Sequence, residues 1–356
     1  MKTKILWLIF PLVVLLIGCG LLQPSPEDTG AGLIGYVGGD SVGDGHGVIL
    51  KTIDGGVTWT RFGSSELPDV NLPQVRAIDK STALATGMPS DGYGLILKTA
   101  DGGGTWQRLG TSATIPNVEL SGIAAVNTQI FWVVGASGVI LKTTDGGTTW
   151  ISQEAAGITA DFGAVSAVDA SNAWIVGGHQ DGYSVILHTT DGGTTWTREG
   201  TSEVLPGAAL IDVSAYDAST CWACGTEGSV IRTTDGGTTW TSTESTHSII
   251  HYNGIIALGK DTAWTAVDDD LMCFTSDGGL SYDMIKIPSS EGLGYALLTV
   301  AATDVDHLWT AGIWFTSPQA IVGTILRSSD RGVTWQRATT PINTTFRRIS
   351  FVGSRQ

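Results

Sequence analysis

Acids, imidazoles and phenols gather in three short stretches of this chain, Asp44-Gly-His46, Asp91-Gly-Tyr93 and His179-Gln-Asp181-Gly-Tyr183. A carboxylate beside an imidazole can do acid–base work or ligate a metal, and a carboxylate beside a phenol ring suits a sugar-binding surface. Two pairs have metal-like composition, Asp44 with His46 and His247 with His251, but neither has a third ligand at metal spacing. Cys221-Trp-Ala-Cys224 has the spacing of a redox or zinc pair. It lies, however, in a run that reads as a strand, where positions i and i+3 point to opposite faces. No second such pair or neighbouring histidine supplies further ligands. Cys221, Cys224 and Cys273 therefore read as buried thiols, and an odd count argues against a disulfide framework. No cofactor is expected.

A different kind of spacing organises the whole chain. Thr52-Ile-Asp54-Gly-Gly56-Val-Thr58-Trp59 recurs at 99–106, 143–150, 189–196 and 233–240, with degenerate copies at 275–282 and 328–335. The recurring acids are Asp54, Asp101, Asp145, Asp191, Asp235, Asp277 and Asp330, and the closing aromatics are Trp59, Trp106, Trp150, Trp196, Trp240, Tyr282 and Trp335. Each aspartate can accept backbone N–H groups ahead of it and pin a turn, each glycine permits a positive φ, and each aromatic can cover the loop. Seven equivalent acids cannot all face one substrate, so the box is read as structural.

The elements that must carry these boxes follow from their period. Successive boxes end 42 to 53 residues apart, the length of one four-stranded propeller blade. One unit shows the strands: 165–169 innermost, 172–177 second, 184–189 third, and 196–198 fourth after the box. Short runs of β-branched and aromatic residues, punctuated by Gly, Asp and Asn, are what hairpin meanders need. The first unit, beginning at Leu33, lacks an inner strand, while 346–352 is an inner strand with no continuation. Joined, they complete one blade. The expected fold is therefore all-β, a seven-bladed β-propeller of four-stranded antiparallel blades over residues 33–356, closed by pairing the C-terminal inner strand with the N-terminal three strands.

Antiparallel blades place the boxes on one face and the second-to-third-strand turns on the other. The candidate binding face is that second one, carrying Asp44, His46, Asp91, Tyr93, His179, Asp181, Tyr183, Asp212 and His251, with Arg76 and Arg348 as a small basic cluster. Linker acids such as Glu66, Asp69, Glu119, Asp161, Glu203, Glu244 and Glu291 join it. The same acids also read as solvated turns. Basic residues repeat in two registers: Lys51, Lys98, Lys142, His188, Arg232 and Arg327 just before the box, and Arg61, Arg108, Arg198 and Arg337 two residues after its aromatic. Repetition predicts ion pairs or stacking near the box turns rather than a substrate site.

The N-terminus reads as a targeting signal. Lys2 and Lys4 precede an apolar run from Ile5 to Ile17, too short for a comfortable membrane span. Leu16-Ile17-Gly18-Cys19 resembles a bacterial lipobox, which implies a signal peptide over 1–18, cleavage before Cys19, lipid on that residue and a flexible tether over 19–32. The alternative is an ordinary secretory signal with an incidental cysteine. The chain is thus expected to be exported and lipid-anchored to the bacterial cell envelope, at the outer face of the cytoplasmic membrane or at the outer membrane of a two-membrane cell. A formal charge of −15 argues against a nucleic-acid partner.

The boxes resemble the Asp-box of bacterial neuraminidase-type repeats. Asp-box proteins include sialidases and xyloglucan-active glycosidases, which makes a glycan-binding or glycoside-hydrolysing protein the alternative function. The arginine cluster and Arg-Ile-Pro motif of sialidases are missing, and the xyloglucan enzymes place their acids between two propellers, whereas this chain has one. The full unit, with Ala-Trp-x-Val-Gly followed by Gly-x-Ile-Leu-Lys-Thr-Thr-Asp-Gly-Gly-Thr-Thr-Trp, resembles the photosystem II stability and assembly factor family across residues 33–353. That resemblance implies a non-catalytic, envelope-anchored binding or assembly scaffold, presenting one face to a membrane or envelope protein, and a monomer. The family's arginine-rich patch is reduced here to Arg347 and Arg348 with Arg76.

Overall fold

The computed structural model describes residues 32–63, 66–205, 207–243, 250–288, 294–317 and 320–354. The expected signal peptide, Cys19 and nearly all of the tether lie outside them, as do Glu244, His247 and Glu291.

Seven separate four-stranded antiparallel sheets form the described residues. Six are consecutive meanders, and the seventh joins Gly35–Gly39, Val48–Thr52 and Thr60–Arg61 to Phe346–Phe351. The ladder between Gly35–Gly39 and Phe346–Phe351 closes the ring as expected. Numbering blades by their boxes, this is blade 1, and the inner strands of blades 2 to 7 are Gln74–Ala77, Leu120–Ala125, Phe162–Ala167, Leu210–Ala215, Tyr252–Ala257 and Gly294–Ala302.

The core lies between blades, because both faces of each sheet are covered by neighbours. Trp132, Trp174, Trp222 and Trp264, one on the second strand of blades 3 to 6, are fully buried. Trp174 meets the box Trp240 of the next blade edge-on at 5.7 Å, as Tyr36 meets Trp106 at 6.4 Å. The inner strands, which would otherwise show an open edge to the channel, are tied to one another. Ser350, Ser166 and Ser214 hydroxyls accept the N–H of Ala77, Ala215 and Ala257 on the following inner strand, at 3.0–3.1 Å. The seventh blade departs from the others. Its second and third strands, Leu308–Ser317 and Ala320–Ser328, are ten and nine residues long, against five and four in blade 3. At about 3.4 Å per residue its hairpin stands roughly 15 Å taller than that of blade 3 and about 7 Å taller than those of blades 2 and 4, whose strands have eight and seven residues.

Candidate functional site

Each box is a closed hydrogen-bond ring. In the third, Thr143 Oγ1 donates to Asp145 Oδ1 at 2.8 Å and accepts Gly147 N at 3.0 Å. Thr149 N donates to Oδ1 at 2.9 Å and the Thr149 hydroxyl to Oδ2 at 2.6 Å. Trp150 lids the loop, its Nε1 donating to the Gly147 carbonyl at 3.1 Å. Those donors, the Thr149 hydroxyl foremost, pull the Asp145 carboxyl down to about 2. The degenerate seventh box keeps the ring through Ser328, Asp330 and Thr334, although Arg331 stands where a glycine is usual and takes a φ of 57°.

The basic residues before the boxes reach further than expected. Lys51 Nζ donates to the Gly102 carbonyl at 2.7 Å, Lys98 to Gly146 at 2.9 Å, Lys142 to Gly192 at 2.8 Å, and Arg232 to Gly278 at 3.1 Å. Each acceptor is the first glycine of the next blade's box, so the cation is a tie between blades. Where blade 7 meets blade 1, Trp309 Nε1 takes over the role, donating to Gly55 O at 2.8 Å. His188 lies flat on Trp174 at 3.5 Å, and burial pushes its basicity down.

The arginines after the boxes correct the sequence reading. They run up the fourth strand, away from the box, and clamp the hairpins of the opposite face. Arg61 grips Asp44 at 2.5 Å and the carbonyls of His46 and Gly47 at 3.2 and 3.1 Å. Arg108 binds Asp91 at 2.8 Å and lies 3.6 Å over Tyr93; Arg198 binds Asp181 at 2.9 Å and lies 4.0 Å over Tyr183. Asp91-Gly92 and Asp181-Gly182 both have two positive φ values in succession, the two-residue turn whose twist fits a hairpin. Asp44, Asp91, Tyr93, Asp181 and Tyr183 are thus committed to holding their own hairpins. His46 Nδ1 lies 3.1 Å from the Leu67 carbonyl, while His179 and His251 are exposed. Among the described residues no three His, Cys, Asp or Glu side chains gather as a metal site.

The face opposite the boxes converges on the channel mouth, a cavity of about 510 Å³ lined by Gln74, Ser121, Asp161, Asn253, Leu298, Arg347 and Arg348, among others. Asp212 is not a surface acid. It sits buried on the inner strand of blade 5 and accepts Arg348 of blade 1 at 2.5 Å, a bridge thrown across the channel. Its other bonds come from the N–H of Ile255 at 2.9 Å and of Val213 at 3.0 Å. Arg347 pairs with Asp40 at 2.7 Å, and Asp161 accepts the Ser137 N–H at 2.8 Å.

Sequence reasoning missed what stands beside this mouth. The tall hairpin of blade 7 carries Ile313, Trp314, Phe315 and Ile321, with Ile321 51% exposed. It walls two further hollows. One, of about 360 Å³, lies against Asp40, Val42 and Asn343; the other, of about 750 Å³, holds Asp268, Asp269, Asp270, Tyr295 and Phe315. The signal was the spacing between the last two boxes, the widest of the series. Cys221, Cys224 and Cys273 are buried and free. Cys221 packs between blades 4 and 5 and Cys224 between blades 5 and 6, as the strand alternation required.

The sequence profile of the family described as Photosynthesis system II assembly factor YCF48 matches residues 117–241, which are blades 3 to 5. Among solved structures, YCF48 bound to D1 peptide is similar at 18% identity, over 75% of this chain and 81% of that one, with a TM-score of 0.56. YCF48 from Cyanidioschyzon merolae is 22% identical over 77% and 86%, also at 0.56. The GH74 xyloglucanase of Xanthomonas campestris is 11% identical over 91% of this chain and 53% of its own, at 0.62. No curated protein sequence matches. Seven closed boxes, the ring they build and the profile matched by its middle blades make this chain an Asp-box (bacterial neuraminidase-type) β-propeller resembling the photosystem II assembly factor family.

Proposed function

We propose that the protein is a binding scaffold held at the cell envelope by lipid on Cys19, offering the face opposite its boxes to a segment of a partner protein. The observation that carries this reading is the channel mouth flanked by the tall apolar hairpin of blade 7. Exposed Ile321 beside half-buried Trp314 and Phe315, rimmed by polar groups, is the composition of a protein-binding patch. A similar propeller solved as "YCF48 bound to D1 peptide" supports a peptide-sized ligand. The partner would bury the hairpin's aromatics and leave the boxes in solvent.

The test is photo-crosslinking from position 315 and from position 148, which lies on the box face, in cells. Specific protein adducts from the first and none from the second are expected. Adducts from neither, or equally from both, would sink the proposal. Cys19→Ser should release the protein from the membrane fraction; retention there would refute the lipid anchor.

The likeness to the xyloglucanase keeps glycan binding as the second reading. On the described surface, however, the mouth's acids are engaged with Arg348 and with the Ser137 backbone. Binding on a glycan array that Trp314→Ala abolishes would favour it over a protein partner.

A further inference from the structure

We propose that the box tips of blades 6, 7 and 1 rest on the lipid surface that holds the anchor, so that the hairpin face points away from the membrane. The proposal depends on the lipid anchor at Cys19 described above. Among the described residues the three most exposed large apolar side chains are Leu280 at 89%, Val333 at 75% and Ile53 at 67%. All three sit in boxes, and their blades are consecutive around the ring. Leu280 and Val333 occupy the sixth box position, as does Val57, which is also exposed. The same position is Gly104 in blade 2 and a threonine, Thr148, Thr194 or Thr238, in blades 3 to 5. Boxes with valine, leucine or glycine there close as well as those with threonine, so ring closure does not call for an apolar side chain.

What lies against this arc follows from where the chain enters the ring. Gly35 pairs with Thr52, the first residue of box 1, so its strand starts at the box end. The Leu33 carbonyl accepts the Gly55 N–H of that box at 3.1 Å, which pins the chain there. Gly32 thus leaves from the box face, beside the apolar arc, and Cys19 is at most about 45 Å of chain away. A lipid on Cys19 holds this face next to the bilayer, and each apolar tip gains by leaving water for the headgroup boundary. Charge selects the headgroup. Asp261, Asp304 and Asp306 are paired with Arg232, His307 and Arg331, while Asp283 and Lys260 add one charge of each sign. Asp54, Asp277 and Asp330 stay ionised, held below the usual carboxylate range by the donors in their rings. The arc is therefore acidic and fits zwitterionic headgroups better than anionic ones.

The test places the full lipidated protein on phosphatidylcholine vesicles whose headgroups carry a nitroxide quencher. A nitrobenzoxadiazole fluorophore is attached at Leu280→Cys, at Thr148→Cys of blade 3 or at Ile321→Cys of the hairpin, the native thiols being buried. Quenching several-fold stronger at 280 than at the other two sites is expected. Equal quenching at all three, none at any, or the strongest at 321, in protein that floats with the vesicles, overturns the orientation and leaves the anchor standing. Protein that does not float overturns both. The joint variant Ile53→Ser, Leu280→Ser and Val333→Ser changes only exposed side chains. It should still float, but a label at Val57→Cys should lose most of its quenching, and unchanged quenching there would refute the role of the tips. A dimer of unlipidated Cys19→Ser protein that the same three changes dissolve would assign the arc to a second copy and overturn the proposal.

Discussion

The two faces of this propeller are built on opposite principles. On the box face one arrangement of threonine or serine, aspartate, glycine and a closing aromatic recurs seven times, and cations at one register stitch four of the boxes to the next. On the other face repetition is partial: an arginine clamp recurs in three hairpins, but a charge pair crosses the channel once and one hairpin rises above the rest. A group that appears in every blade must serve what all blades share, which is their shape. A group that appears once is free to serve a ligand, so symmetry itself sorts scaffold from site in a repeat protein.

The largest effect should come from attacking closure, which belongs to neither face alone. Deleting residues 346–356 removes Phe346, Ile349 and Phe351 from the core and should abolish cooperative unfolding in urea; a sharp two-state melt in the truncated chain would contradict the ring description. Next comes the channel bridge. Asp212→Ala leaves Arg348 buried without its partner, at an expected cost of about 3–5 kcal/mol. Adding Arg348→Met should recover most of it, and a double variant as unstable as the single would show that the loss was not electrostatic.

A third experiment sets the faces directly against each other. Asp145→Ala should lower the melting temperature by a few degrees and leave partner capture intact, whereas Phe315→Ala should do the reverse. Capture lost in a fully folded Asp145→Ala protein would break the division. The boxes also dictate a pH window. Asp101, Asp145, Asp191 and Asp277 are held at about 2 by donated hydrogen bonds, below the unfolded value. The folded state thus binds fewer protons, so this stability is complete above roughly pH 4 and disappears as pH falls toward 2. A chain unfolding first on the alkaline side, with no loss between pH 4 and 2, would exclude that account. The smallest effect belongs to the rim: Arg108→Met should cost no more than about 1 kcal/mol, since its partner Asp91 is 80% exposed on the side chain.

Much of this was legible in the sequence, and the limit has a physical form. The box could be read because its bonds join residues two and four apart, so its chemistry is written as spacing. Blade number and closure followed from counting. The stacking of these cations near the box turns was legible, as Lys142 over Trp132 shows, but their ties to the next blade were not, because the acceptors lie about one blade further along, 51 residues for Lys51 and 50 for Lys142. The arginine clamps were sent to the wrong end because register alone does not say which way a long side chain runs along its strand. The bridge from Arg348 to Asp212 spans 136 positions with no repeating trace, and only the ring's curvature brings the two together. Asp212 therefore passed for a surface acid.

The closing strand has a kinetic meaning. Asp40 and Arg347, paired beside the seam, are 307 positions apart, so nearly the whole chain must exist before its first and last strands can meet. Loop-closure entropy for that span is about 3 kcal/mol greater than for a blade hairpin. Blades 2 to 7 can form as each is made, but the first blade waits, three strands ready and its inner edge bare, until the end arrives. Synthesis order and assembly order therefore part company at one seam. An interrupted chain would present an unpaired strand edge, an invitation to aggregation or to proteases, and the final few residues act as the latch that withdraws it.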